Sequence, residues 1–259
     1  MTTQPKLLVD RPAPGVMRLL INRPDKRNAI DYDVRQAMIE ALSALRTDGA
    51  TRALVFGGVG GHFSAGGDVP SMLGLSEEQA RSRMQHIAAL CRLVGDVPLP
   101  VVTAMEGVSA GACVGLALLG DHIVVGEGAR ILFPFMKLGL VPDWGSLMTL
   151  PRRVGLPTAL RLMSAAQPIG GAEALRCGLA DELRSDGEVM AAAVAKAAEL
   201  AQLPLAAYAR MKQRLNTPSA TLEEELRREE ADQSALLRGA DFAEGYAAFV
   251  EKRQPRFVR

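Results

Sequence analysis

Two short glycine-rich segments could together stabilise negative charge on a carbonyl oxygen. They are segment 62–68 (HFSAGGD) and segment 106–113 (EGVSAGAC). Small residues at Gly67 and Ala112 allow a ligand to approach the backbone closely. Two backbone N–H groups that converge on one carbonyl oxygen stabilise the charge that develops there during a reaction. The sequence therefore predicts an oxyanion hole made by the N–H groups of Gly67 and Ala112.

A carboxylate that could move a proton follows in a mostly apolar stretch. Asp143 lies close in sequence to Phe133, Phe135 and Trp144. Apolar surroundings raise the pKa of a carboxyl group, so that it can exchange protons near neutral pH. We predict a catalytic role for Asp143; the alternative is a turn residue after Pro142, which is a favoured turn pairing.

The elements that must position these residues alternate between strands and helices. Apolar runs at residues 53–56 and 101–105 predict strands just before the two glycine-rich segments. Residues 7–10 and 16–21 predict two further strands joined by a turn at 11–15. Helices are predicted at 31–45, where Asp31 can cap the start, and at 76–94, and the pattern from about residue 186 is helical. This alternation indicates parallel strands with crossover helices, but it does not separate a doubly wound sheet from other α/β folds.

Composition narrows the class of protein. The chain has 259 residues, of which 48% are hydrophobic, and 30 basic residues balance 29 acidic ones. No basic tract or acidic tail indicates nucleic acid or an anionic membrane as a partner. Cys91, Cys113 and Cys177 have neither the spacing of metal ligands nor that of a disulfide framework, and no apolar secretory segment follows the N-terminus. These features predict a cytoplasmic protein without a metal site.

Five motifs in order resemble the crotonase family, also called the enoyl-CoA hydratase/isomerase superfamily. Besides the pair of glycine-rich segments, which counts as one motif, they are residues 21–30 (INRPDKRNAI), 139–143 with 150–155 (GLVPD, LPRRVG), 172–181 (AEALRCGLAD) and 252–257 (KRQPRF). The resemblance implies an α/β fold, the crotonase (ClpP/crotonase-like) spiral of ββα repeats. It also implies a core at 1–195 with the acyl-CoA site and a helical region at 196–259 that covers the site and forms a homotrimer or a dimer of trimers.

The resemblance implies a coenzyme A thioester as the substrate, with its carbonyl between Gly67 and Ala112. Residues for the rest of coenzyme A lie in the first motifs. The resemblance places Lys26 and Arg27 at the phosphates and the Ala65 carbonyl at the adenine. Asp68 closes the substrate-binding segment, where we expect its carboxylate to bond N–H groups of its own loop. Lys212 is a further candidate for a contact with the nucleotide.

The chain departs from the hydratase pattern at both catalytic glutamates. Gly115 and Phe135 stand where hydratases of this family carry those acids, and neither side chain can carry a proton. Asp143 remains, and members with Asp at this place include the phenylacetate-type isomerases, dienoyl-CoA isomerases and 4-chlorobenzoyl-CoA dehalogenases.

We therefore predict isomerisation of an enoyl-CoA double bond, with no cofactor besides the coenzyme A of the substrate. The alternatives are hydration, thioester hydrolysis or dehalogenation that uses Asp143, and a pseudo-enzyme that binds acyl-CoA without turnover. We expect the wall of the pocket to come from the helix at 76–94 and from the C-terminal region.

Overall fold

Two sheets built from nine strands form the centre of the molecule. The computed structural model describes residues 4–257. In chain order the strands are β1 (Leu7–Ala13), β2 (Val16–Ile21), β3 (Ala53–Gly58), β4 (Val101–Met105), β5 (Val108–Ala110), β6 (His122–Gly126), β7 (Arg130–Leu132), β8 (Ile169–Gly170) and β9 (Glu182–Arg184). The larger sheet has the order β1-β2-β3-β4-β6-β9, with β1 antiparallel and all other pairs parallel. Strands β3 and β4 are buried along nearly their whole length, which explains their unbroken apolar sequences.

The smaller sheet has the order β5-β7-β8 and repeats the connections of the larger one. β4 leads directly into β5, and β6 leads into β7, so each repeat gives one strand to each sheet. β5 and β7 pair in parallel, as β4 and β6 do. A helical segment follows each pair of strands. The chain therefore forms the expected spiral of ββα repeats and not a doubly wound sheet.

Ten helices surround the sheets of the described chain. They are α1 (Tyr32–Ala44), α2 (Glu77–Asp96), α3 (Ala112–Leu118), α4 (Ser146–Val154), α5 (Leu156–Ala165), α6 (Gly171–Arg176), α7 (Val189–Leu200), α8 (Leu205–Asn216), α9 (Leu222–Leu236) and α10 (Ala240–Glu251). Asp31 caps α1, as predicted, by accepting from the N–H of Val34 at 3.0 Å. Ser76 and Gln79 form a capping box at the start of α2. The main core lies between one face of the larger sheet and helices α1, α2 and α3.

The first strand is longer than the sequence indicated. β1 continues to Ala13, which pairs with Val16, so the turn is shorter than the predicted 11–15. Gly15 supplies the left-handed conformation at φ 73° that this tight turn needs. Pro12 is tolerated because β1 is an edge strand and the register shifts between Asp10 and Ala13.

Helix α7 belongs to the core. Its buried alanines, Ala193 and Ala197, pack with Val55 and Val124 on the face of the sheet opposite to α1 and α2. The boundary predicted at 195/196 falls inside this helix, and α8 follows it along the chain. Within residues 4–257 no single helix is long and apolar enough to cross a membrane; α7 and α8 meet that test only together, as a pair bent by 110°.

Candidate active site

The two glycine-rich segments lie side by side; the first follows β3, and the second contains β5 and leads into α3. Ser64 and Ser109 form an isolated parallel bridge between them. The N–H of Ala110 donates to the Ser64 carbonyl at 3.0 Å, and the N–H of Ser64 donates to the Val108 carbonyl at 3.1 Å. The Cys113 thiol also donates to the Ser64 carbonyl, at 3.0 Å. These contacts hold the two segments together although they are distant in sequence.

The first segment is supported from behind by Asn28, which is fully buried and has φ 59°. Its amide nitrogen donates to the carbonyls of Val59 and His62, each at 2.8 Å. The Ser64 hydroxyl donates to the Asn28 carbonyl at 2.6 Å and accepts from the N–H of Gly66 at 3.0 Å. The sequence analysis did not assign this role. The available signal was an Asn inside a loop motif, because Asn adopts the left-handed region more readily than most residues.

Gly67 and Ala112 leave their N–H groups free. Among the described residues, neither nitrogen donates to another group. The bonds around Gly67 use its neighbours instead, because Ile30 donates to Gly66 and Asp68 donates to Ile30. Ala112 is the first residue of α3, where no carbonyl of an earlier helical turn is available. The structure thus brings together the two residues selected from the sequence, each with an available donor.

A cavity of about 500 Å³ opens in front of these donors. Its size is in the usual range for small-molecule sites. The lining is mostly apolar and consists of residues 65–67, 69, 72, 75, 80, 83, 84, 111, 112, 134, 135, 138, 140, 141, 143 and 144. Helix α2 contributes Ala80, Arg83 and Met84, as expected for the helix at 76–94.

The C-terminal region does not line this cavity within one protomer, in contrast to the expectation. All lining residues fall between positions 65 and 144. Helix α8 instead meets the other end of α2, where Asn216 donates to the Gly95 carbonyl at 3.4 Å.

A tight turn before α4 presents Asp143 to the cavity. The Asp143 carbonyl accepts from the N–H and the hydroxyl of Ser146, at 3.0 and 2.6 Å. Trp144 and Gly145 follow in left-handed conformations, with φ 54° and 74°. A Trp in this region is uncommon and indicates a backbone held by its surroundings. The turn fixes the backbone while the carboxylate lines the cavity.

The environment of Asp143 suits proton transfer. Its Oδ1 is buried and has no hydrogen-bond partner among the described residues. Burial raises the pKa of Asp143 to about 6, although its own backbone N–H and the charge of Arg83 act in the opposite direction. A carboxyl group with this pKa can both accept and return a proton near neutral pH. Among the described residues that line the cavity, Asp143 is the one that carries a carboxylate.

Comparison with known proteins identifies the family to which the chain belongs. The family model described as enoyl-CoA hydratase/isomerase matches residues 12–259. The chain belongs to the enoyl-CoA hydratase/isomerase family. Members of this family act on acyl-CoA thioesters, and the protein is an acyl-CoA-transforming enzyme of that family.

Individual members that resemble the chain differ in their reactions. The 1,2-epoxyphenylacetyl-CoA isomerase of Escherichia coli is 32% identical over 249 residues, which cover 94% of this chain and 95% of that protein. A probable enoyl-CoA hydratase of Rhodobacter capsulatus is 34% identical over 245 residues, with 94% and 95% covered. The solved structure of an enoyl-CoA hydratase from Bacillus anthracis superposes with a TM-score of 0.91 at 26% identity, covering 97% of this chain and 98% of that one. The fold and the family are therefore confirmed. The names of these relatives include an isomerase and hydratases, so they do not decide which reaction this chain catalyses.

Trp144 occupies the space beside Gly115, one of the two glutamate positions of hydratases in this family. A methyl group on Gly115 would lie 2.5 Å from Trp144 Cβ and 2.9 Å from Ser146 Oγ. Trp144 itself is buried, with 4% of its surface exposed. The second position is Phe135, which is buried and lines the cavity. The turn that carries Asp143 thus excludes a side chain at the first glutamate position.

Gly115→Ala should therefore lower the free energy of unfolding. Overpacking against Trp144 costs about 1–3 kcal/mol, and it outweighs the helix propensity of Ala, which favours the change by about 1 kcal/mol. Gly95→Ala is the matched control, because a methyl group there meets only Leu119 at 3.9 Å. Urea unfolding of both variants measures the difference. An equal gain in stability in both would show that the space beside Gly115 is open.

The residues expected at the coenzyme A moiety lie next to the first glycine-rich segment (62–68), which we call the first donor segment because it carries the N–H of Gly67. Lys26 and Arg27 are exposed at the end of a short 3₁₀ helix, and Arg27 has φ 46°. The N–H of Ala65 donates to the Arg27 carbonyl at 2.8 Å. This bond ties the basic turn to the Ala65 end of the segment, so the three residues lie together.

Two side chains have roles different from those expected. The Asp68 carboxylate accepts from the Arg23 guanidinium at 3.2 Å and does not bond N–H groups of its own loop. Lys212 is buried, and its Nζ donates to the Leu99 carbonyl at 3.0 Å and to Asp121 at 2.8 Å. Each contact joins residues far apart in sequence. Both side chains stabilise the fold, and Lys212 is not available to a nucleotide.

Proposed function

We propose that this enzyme shifts the double bond of an enoyl-CoA through an enolate held by Gly67 and Ala112. The observation that carries the proposal is Asp143, a half-buried carboxylate with a pKa of about 6 in the same cavity as two free backbone donors. The thioester carbonyl accepts from both donors, and negative charge that develops on its oxygen is stabilised there.

The proton shift needs one carboxylate. Ionised Asp143 removes a proton from C2 of a 3-enoyl thioester, and the electron pair of that C–H bond delocalises onto the thioester oxygen. The same carboxyl group returns the proton at C4, and the double bond then lies between C2 and C3. The shift changes no oxidation state and therefore needs no redox cofactor, and coenzyme A takes part only as a portion of the substrate.

Hydration is the main alternative, and the geometry disfavours it. A hydratase activates a water at one carbon and delivers a proton to the neighbouring carbon, which in this family is the work of two glutamates. Here Gly115 has no room for a side chain beside Trp144. Phe135 fills the second position with a buried ring. Asp143 alone would have to perform both steps.

The pH dependence of isomerisation tests the role of Asp143. Because burial raises the pKa of Asp143 to about 6, the base form is lost below that pH and predominates above it. We expect kcat/KM for a 3-enoyl-CoA to rise tenfold per pH unit below about pH 6 and to level off above it, since this quantity reports the essential base of the free enzyme. A flat profile, or a rise centred near the ordinary carboxyl pKa of about 4, would contradict the assignment.

The proposal also assigns residues to the coenzyme A moiety of the substrate. We place the coenzyme A phosphates at Lys26 and Arg27 and the adenine at the Ala65 carbonyl, because these residues adjoin the first donor segment.

We further propose a homotrimer or a dimer of trimers through the C-terminal helices. The support is an aromatic stripe on α10, where Phe249 is 82% exposed and Tyr246 is 62% exposed. A second subunit would bury these rings.

A further inference from the structure

Arg83 is a half-buried cation in the wall of the active-site cavity. It lies on α2, on the face that also carries the cavity residues Ala80 and Met84. Its Nη1 donates to the Ser71 hydroxyl at 3.3 Å, and a methyl group on Gly67 would lie 3.5 Å from its Nη2. The guanidinium is therefore next to the first oxyanion donor.

No carboxylate of the described chain forms an ion pair with Arg83. The charges of Asp143 and Asp68 act on it only through space. Asp68 is already paired with Arg23 at 3.2 Å. Burial lowers the pKa of Arg83, as expected for a guanidinium that is partly desolvated without gaining an ionic partner. An anion bound in the cavity would stabilise this charge.

A second arginine reinforces the positive charge at this end of the cavity. Arg35 is 2% exposed; its Nε donates to His86 Nδ1 at 3.2 Å, and its Nη1 has no partner among the described residues. Arg35 and Arg83 line a neighbouring cavity of about 470 Å³, which meets the active-site cavity at Leu75 and Arg83. Glu78, the acid of that described lining, is exposed and pairs with neither arginine. The region beyond the donors is thus positively charged.

The position of Arg83 points to the acyl end of the substrate. The basic turn with Arg27 is bonded to Ala65, near the start of the first donor segment. Arg83 lies against Gly67, two residues further along that segment. If the nucleotide lies near Arg27 and the thioester carbonyl lies at Gly67, the acyl chain extends toward Arg83.

We propose that the preferred acyl chain ends in a carboxylate, which Arg83 binds in the field of Arg35. The substrate class is therefore an enoyl-CoA derived from a dicarboxylic acid. This inference rests on the proposed function for the direction in which the thioester lies. A guanidinium and a carboxylate form charge-assisted, often bidentate hydrogen bonds, and a bond to a charged group changes affinity by about 10–100-fold.

Matched pairs of thioesters test the proposal. The pairs are 3-hexenoyl-CoA with 3-hexenedioyl-CoA, and the corresponding eight-carbon compounds, assayed with the parent enzyme, Arg83→Gln and Arg81→Gln. We expect the parent to prefer a dicarboxylic member by about 10–100-fold in kcat/KM. Arg83→Gln should remove that preference, measured as the ratio of kcat/KM between the two members of a pair, since truncating a charged partner affects the ligand that it binds. The ratio is the readout because the charge of Arg83 also acts on the pKa of Asp143 and so affects both members alike. Arg81 is the control because it is exposed on the same helix and pairs with Glu77.

Two results would overturn the inference. One is the absence of a preference in the parent for either chain length. The other is an equal fold-loss for both members of a pair in Arg83→Gln, which would leave the preference of the parent intact and show that Arg83 does not bind the terminal carboxylate. Calorimetric binding of hexanoyl-CoA and hexanedioyl-CoA separates this inference from the proposed reaction. Discrimination in binding without isomerisation would reject the reaction alone, and isomerisation without discrimination would reject the carboxylate alone.

Discussion

Asp143→Asn will lower the isomerisation of a 3-enoyl-CoA by about 10²–10⁴-fold, the usual contribution of a general base. The amide keeps the shape of the side chain but cannot accept a proton at neutral pH. Binding of the acyl-CoA should change little, because the thioester is held by the backbone donors. Absorbance of the conjugated product measures turnover, and calorimetry with a saturated acyl-CoA measures binding.

The pH dependence of unfolding, compared between the parent and Asp143→Asn, is a second measurement on the same variant. Burial raises the pKa of Asp143 above its ordinary value, so the folded state binds the proton more tightly than the unfolded state. The parent should therefore lose stability as pH rises from about 4 to about 6, relative to Asp143→Asn. Asp96→Asn, at the exposed end of α2, is the control for the substitution itself. Full isomerase activity in Asp143→Asn would remove this residue from the mechanism.

Ala112→Pro will lower turnover by about 10²–10³-fold, because it removes one donor of the oxyanion hole. Ala112 is the first residue of α3, a position at which a helix tolerates proline. The loss should therefore appear in kcat more than in thermal stability. The measurement is isomerisation by enzyme that retains cooperative unfolding.

Ala112→Gly provides the comparison, since it keeps the N–H group and removes only a methyl. We expect this variant to retain most of the activity. Near-normal rates in Ala112→Pro would show that the N–H of Ala112 does not act on the substrate. Equal losses in both variants would indicate that the alanine methyl, and not the N–H, is required.

The parts of the site that could be predicted from sequence are those fixed by local backbone chemistry. Gly66 and Gly111 have φ 91° and 54°, conformations that side chains disfavour, so a glycine-rich motif is needed at both loops. The start of α1 was predictable because Asp31 caps it through its own carboxylate. The parallel strands were predictable from unbroken apolar runs. The direction of the two loops toward each other came from the family resemblance.

The remaining features depend on contacts between distant residues. Trp144 fills the space beside Gly115 and has a φ of 54°, a conformation that no helix or strand propensity predicts. Lys212 is bound to Asp121, and no helical pattern distinguishes that contact from an exposed lysine. The sequence did contain an indication that Arg83 has a special role. It is a charge on the helix face that carries Ala80 and Ile87, at a spacing where an apolar residue is expected.

The measurement that most directly tests the account is a parallel assay of the unmodified enzyme. Isomerisation of a 3-enoyl-CoA and hydration of the matching 2-enoyl-CoA are followed at the same pH, with monocarboxylic and dicarboxylic chains. We predict that isomerisation exceeds hydration, because Asp143 can move one proton between two carbons, whereas Gly115 and Phe135 supply no second acid. Fast hydration without isomerisation would contradict the account and assign the enzyme to the hydratases.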